Sequence, residues 1–108
     1  MARTPKRLHG PAQVSNAAAT KYTVPATTKT IVRHTHISNP SISAVTFTLS
    51  IGADAAAVRL FDAFSIAANT VRDDYWYVVL EAAEIIQAFA GTNNILVLTI
   101  DGDEITLG

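Results

Sequence analysis

The sequence predicts an all-β domain: an antiparallel β-sandwich of jelly-roll type, with about eight strands and an extended N-terminal arm. Three observations carry that prediction. Apolar and hydroxyl residues alternate in short runs, most cleanly in VTFTLSI, which reads as a half-buried strand with Val45, Phe47, Leu49 and Ile51 on one face and Thr46, Thr48 and Ser50 on the other. Turn residues recur at intervals of about 8–12 positions, as expected of sandwiches and jelly rolls. No long stretch keeps the helical period that βαβ units would need.

The elements follow in order. Residues 1–10, MARTPKRLHG, carry three of the eight basic residues together with Pro5 and Gly10. They offer little to a core and read as a basic arm, leaving residues 11–108 as a single sandwich domain. Strand-like runs follow at 22–24 before Pro25, 30–38 before Pro40, 44–51 before Gly52, 58–66, 70–80, 84–90 before Gly91, and 95–100. A short strand near Gln13 and Val14 and the tail at 104–107 bring the total to about seven to nine.

ILVLTI is apolar on both faces for most of its length and suits a central strand. Asp101-Gly102 after it reads as a hairpin turn. The segment VLEAAEIIQAFA has helix formers, but its apolar positions leave a single helical stripe and it includes β-branched Ile85 and Ile86. It reads as a strand ending near Leu80, a turn, and a new strand from Glu84. ADAAA, at 53–57, reads as a short helical turn or a loop.

Composition narrows the function. With 108 residues the chain suits one domain, and 49% hydrophobic with 16% charged residues favours packed sheets over disorder. No cysteine is present, which excludes disulfides, thiolate nucleophiles and cysteine-held metals. No apolar run approaches the roughly 18 residues that cross a bilayer, and no signal-peptide stretch opens the chain, so synthesis in the cytosol with no membrane partner is expected.

Net charge is only −1, but residues 1–53 carry six bases and no acid, while residues 54–108 carry all nine acids against Arg59 and Arg72. Because strands from both halves interleave in a sandwich, matching of charge between strands inside one chain is the first reading. Complementary surfaces on neighbouring copies are the second.

The chemistry-bearing residues are few. In KTIVRHTHISNPS, His34 and His36 would project from the same face of a strand. A metal needs three or four converging ligands. The cupin pattern of HxH with a following glutamate lacks its carboxylate here, so His9, Asp62, Asp73 or Asp74 would have to complete a site from a distance. His34 and His36 are therefore metal candidates only in that event, and otherwise polar contacts at a subunit face. Asp73 and Asp74 are adjacent and face opposite sides of a strand, so they cannot work as a catalytic pair.

DGDE, at 101–104, lacks the further ligands of a calcium loop. No GxSxG, phosphate-cradling glycine loop or HExxH occurs, so no catalytic residue, cofactor or enzymatic activity is expected. Tyr75, Trp76 and Tyr77 place two tyrosines on one strand face and the tryptophan on the other. Such rings fill cores or anchor interfaces, with a sugar-stacking platform as the alternative; a platform needs exposed rings, whereas the structural reading expects Tyr75, Trp76 and Tyr77 to be buried. Arg3, Lys6 and Arg7 are expected to touch a neighbouring protein rather than nucleic acid, since no aromatics interleave them.

The stretch GPAQVSNAAATKYTVPATTKTIVRHTHISNPSISAVTFTLSIGAD, with the later EAAEIIQAFAG, resembles small structural proteins of tailed bacteriophages over about residues 10–100. The resemblance implies a non-enzymatic virion β-sandwich: a capsid decoration protein, or a tail-associated or tail-tip carbohydrate- or receptor-binding subunit. It implies a homo-oligomer, trimers included, bound to the major capsid or tail proteins of a particle assembled in the host cytoplasm. No active site is carried over. The interface residues expected are Arg3, Lys6, Arg7, His34, His36, Tyr75, Trp76 and Tyr77.

Overall fold

Alternation does what the sequence leads one to expect in strand β4 (Val45–Ile51): Val45, Phe47 and Leu49 point into the core at 5% exposure or less. The computed structural model describes residues 2–107. Around β4 it builds β1 (Ala2–Gln13), β2 (Ala19–Thr23), β3 (Thr28–Asn39), β5 (Arg59–Ile66), β6 (Thr70–Leu80), β7 (Ile85–Ala90) and β8 (Val97–Thr106), plus one 3₁₀ turn at Ala56–Val58. Among the described residues there is no α-helix, hence none long and apolar enough to cross a membrane.

A front sheet runs β1-β8-β3-β6 and a back sheet β2-β7-β4-β5, with every pairing antiparallel. The pairs β1–β8, β2–β7, β3–β6 and β4–β5 are nested, as in one long hairpin rolled up on itself. The contacts β3–β8 and β4–β7 then close the two sheets. That is the eight-stranded jelly roll, and the fold is an all-β sandwich.

Nesting has a direct electrostatic consequence. Every neighbouring pair joins one of the first four strands to one of the last four, so the basic and acidic halves of the chain meet strand against strand. Arg3 and Arg33 reach Asp103, Lys6 reaches Glu104, and Lys29 reaches Glu81. Matching of charge within one chain is thus realised.

The core lies between the sheets, with Val14, Ile37, Phe47, Ile66, Leu80, Ile86, Leu96, Leu98 and Ile100 essentially without solvent contact. Phe47, Phe61, Phe64 and Trp76 meet edge to face, at centroid separations of 5.4–5.9 Å. They close the side of the sandwich where the edge strands β5 and β6 face each other. β8 is central in the front sheet, as its two apolar faces predict.

The turns behave as their residues demand. Asn39 ends β3, and its buried side chain accepts from the Ser41 amide and hydroxyl while donating to the carbonyls of Ser43 and Ile66. Pro40 follows and cannot continue the ladder. Between β6 and β7 the expected turn forms, with Ala83 at a φ of 70°.

Three expectations need correction. Residues 2–10 are not an arm apart from the domain: they make up most of β1, hydrogen-bonded to β8 from Ala2↔Thr106 to Gln13↔Val97. Their bases lie beside the acids of β8, and Leu8 enters the core at 8% exposure. Met1 lies outside the described residues.

Asp101-Gly102 is not a turn, because β8 runs through it. Glycine is required there for another reason: a Cβ on Gly102 would run into the carbonyl oxygen of Ile31 on the adjacent strand. Finally, Thr48 and Ser50 of β4 are not on an open face, being only 2% and 1% exposed. The chain after Gly52 folds over them.

Candidate functional site

The side chains with chemistry to offer gather on the outer face of the front sheet. β3 sends His34 and His36 outward, as their i, i+2 spacing requires. Opposite β8, the register passes from Val32↔Gly102 to His34↔Asp101. The extra residue, Arg33, is a bulge, and Arg33 and His34 both reach outer-face partners. Opposite β6, His34 pairs with Tyr75 and His36 with Asp73.

One carboxylate oxygen gathers both histidines. Asp73 Oδ1 lies 2.8 Å from His34 Nε2 and 2.6 Å from His36 Nδ1. The other nitrogen of His34, Nδ1, lies 3.3 Å from Asp101 Oδ2. The Tyr75 ring stacks on His34 with centroids 4.8 Å apart. Burial works to lower the His34 pKa, but the hydrogen bonds and charges of Asp73 and Asp101 outweigh it and the net shift is upward. Hydrogen bonds from His36 and His34 hold the Asp73 carboxyl below its ordinary range, against a smaller opposing effect of desolvation. Of the distant acids that might have joined the histidines, Asp73 does and Asp74 does not. Asp74 turns to the other side of β6 and pairs with Arg72.

The bases expected at an interface occupy the same sheet. Arg3 donates to Asp103 at 2.7 Å and Lys6 to Glu104 at 3.2 Å. Arg7 is exposed and lines an open groove of about 670 Å³ with Arg3, Arg33, Asp101 and Asp103.

The aromatic trio divides as the alternation predicts. Trp76 turns inward, packs on Phe61 and donates its indole N–H to Thr35 Oγ1 at 2.9 Å. Tyr75 and Tyr77 turn outward at 80% and 70% exposure, with Arg33 over the Tyr77 ring. Val71 and Val79 on the same edge strand are also exposed. The expectation of buried rings thus holds for Trp76 and is corrected for Tyr75 and Tyr77, whose exposure comes from the strand alternation that turns them away from the core.

Sequence reasoning did not single out Arg33 or Tyr22, and it weighed Asp101 and Asp103 only as a turn and an incomplete calcium loop. The i, i+2 pattern of Asp101 and Asp103 was the available signal, masked by its resemblance to a turn. Tyr22, from the back sheet, reaches across to Glu104 and Thr30. Burial and the acceptor Glu104 push its pKa up to about 12. His9 Nε2 is buried with no hydrogen-bond partner among the described residues, and burial lowers the pKa of that imidazole.

These features define a class: an eight-stranded jelly-roll module whose candidate residues lie on a sheet face rather than in a cleft. No protein-family model matches the chain, and no curated protein matches its sequence. Among solved structures, a chain from the structure of infectious bursal disease virus, Gx strain, is similar over 99% of this chain at 10% identity and a TM-score of 0.52. A chain from the Gt strain of that virus matches over 95% at 10% identity and a TM-score of 0.33. This chain spans 32% of the Gx-strain chain and 29% of the Gt-strain chain. The likeness to the Gx-strain chain is one of fold.

Proposed function

We propose that the chain is a non-enzymatic structural subunit of a virus particle, in its simplest form a capsid decoration protein of a tailed phage that binds the particle exterior and reinforces subunit contacts. The observation that carries this reading is the outer face of the front sheet, where Tyr75 and Tyr77 stand exposed among Arg33, Asp73 and the histidines. Tyrosine and arginine are the residues that anchor protein interfaces, and a rigid sheet presents them with little ordering to do on contact. The phage-like stretch over residues 10–100 and a fold shared with a chain from a virus structure support the same reading.

In this role the subunit associates with further copies of itself, as a trimer in the simplest assembly, and with the major capsid or tail proteins. Arg3 and Lys6 on β1 are already engaged with β8, so the contact surface is the His34/Tyr75/Tyr77 region and the groove beside Arg7 rather than a free tether. An image reconstruction of the particle tests this. Density for the fold is expected in many symmetry-related copies on the exterior, with the front sheet against a neighbour. A particle that lacks the chain while the infected cell contains it would refute the proposal.

The exposed tyrosines also favour a second reading, a tail subunit that stacks a sugar ring of a host receptor on Tyr75 or Tyr77. Binding on a glycan array that disappears in Tyr75→Ala and Tyr77→Ala would select it. No glycan bound by the wild-type chain removes it.

A further inference from the structure

We propose that His34 Nε2, His36 Nδ1 and Asp73 Oδ1 together bind one divalent transition-metal ion of the zinc class on the outer face of the front sheet. The three atoms lie within 4.8 Å of one another. A tetrahedral ion with bonds of about 2.0–2.1 Å spaces its ligand atoms by about 3.3 Å. The two contacts to Asp73, at 2.8 and 2.6 Å, lie below that spacing and the outer limit of 4.8 Å lies above it, so side-chain shifts on the order of an ångström bring the three atoms to it.

A second observation concerns the ring that would ligate the ion. Both ring nitrogens of His34 face carboxylates, Asp101 at Nδ1 and Asp73 at Nε2. A neutral imidazole carries one N–H. With that proton on Nδ1 and directed at Asp101, Nε2 has its lone pair free for an ion, which takes the place of the second proton that an imidazolium would offer to Asp73. Carboxylate–histidine–metal is the arrangement by which proteins fix the tautomer and orientation of a ligating imidazole. The Tyr75 ring, stacked on His34, holds the ring plane.

The backbone supplies the remaining order. His36 and Asp73 sit opposite each other in the β3–β6 register, and His34 is two residues along the same face. The ligands are thus fixed by a ladder rather than by a loop. Two imidazoles and one carboxylate favour zinc, nickel or copper over calcium or magnesium. Three protein ligands on an exposed face leave at least one coordination position to water or to a group on a neighbouring molecule, and the bound ion would tie edge strand β6 to β3.

Calorimetric titration of the metal-stripped full chain with Zn²⁺ alone tests the site. One ion per chain is expected, and Ca²⁺ at the same concentration is expected not to compete. His36→Gln and Asp73→Asn should each weaken binding at least about tenfold, and Asp101→Asn, which removes only the orienting carboxylate, by about 10–100-fold. Asp74→Asn removes an equal charge from the opposite face of β6 and should change affinity by less than about twofold. Thermal melts of each variant establish that it is folded. Failure of the wild-type chain to bind Zn²⁺ overturns the proposal. So does an Asp74→Asn effect as large as that of Asp73→Asn, which would reduce the binding to diffuse attraction.

Discussion

The outer faces of the two sheets differ in how their polar groups are satisfied. On the back sheet, Ser50 donates to Asp54, Arg59 clamps the same carboxylate, the Asp54 amide donates to Gln87, and the Ala63 amide donates to Thr48. Asp54 and Arg59, from the chain after Gly52, engage Ser50 and Gln87 on this face, and Thr48 and Ser50 are buried, while Thr46 remains exposed. On the front sheet, Tyr75 and Tyr77 stand free and the charged network lies open to solvent. One face is partly closed by its own chain, and the other presents its charged and aromatic groups to solvent. Both are polar in sequence, so polarity alone does not separate a structural face from a contact face.

The comparison can be broken from either side. The largest effect is expected on removing residues 2–9, which takes most of β1 from the front sheet, exposes the edge of β8 and withdraws Leu8 from the core. Loss of a cooperative thermal transition is predicted. A normal melt would show that these residues are dispensable to the domain after all.

Smaller, and confined to the back face, is Thr48→Val. It removes the acceptor of the Ala63 amide; Thr48 is 2% exposed but Ala63 lies at the surface, where water can replace the lost partner, so the cost should be about 0.5–1.5 kcal/mol in denaturant unfolding. Particle binding should be unaffected.

Tyr22 links the sheets and provides a pH test. Its folded pKa is raised from 10.0 to about 12, so its contribution to stability is complete below about pH 10 and is lost as pH rises through about 12. Unfolding followed over that window should show this decline, and Tyr22→Phe should flatten it. The smallest stability change belongs to the front face, where Tyr75→Ala or Tyr77→Ala should stay within about 0.5 kcal/mol of wild type.

Much of the fold was legible because burial imposes period 2 on a strand. VTFTLSI as a strand and the break between Leu80 and Ile85 read correctly, and ILVLTI was rightly placed in a central strand, although that strand begins at Val97 and runs on to Thr106. β1 was missed because Pro5, Gly10 and Pro11 break its pattern and its partner lies at the far end of the chain, where only complementary charge announces it. Gly102 was misread because a close approach of backbones and a tight turn both call for glycine. At the candidate site, His34 and His36 were visible through their spacing. Asp73 was one of several acids in reach, because the β3–β6 register contains a bulge and no local pattern states it. The nested topology also explains the unequal charge of the two halves, which sequence position alone left open.

The central claim is that the front face is kept for a partner, and the Tyr75→Ala/Tyr77→Ala double variant tests it most directly when its incorporation into particles is measured beside its melting temperature. The account predicts an unchanged melting temperature with incorporation strongly reduced. Full incorporation at wild-type stability would contradict it.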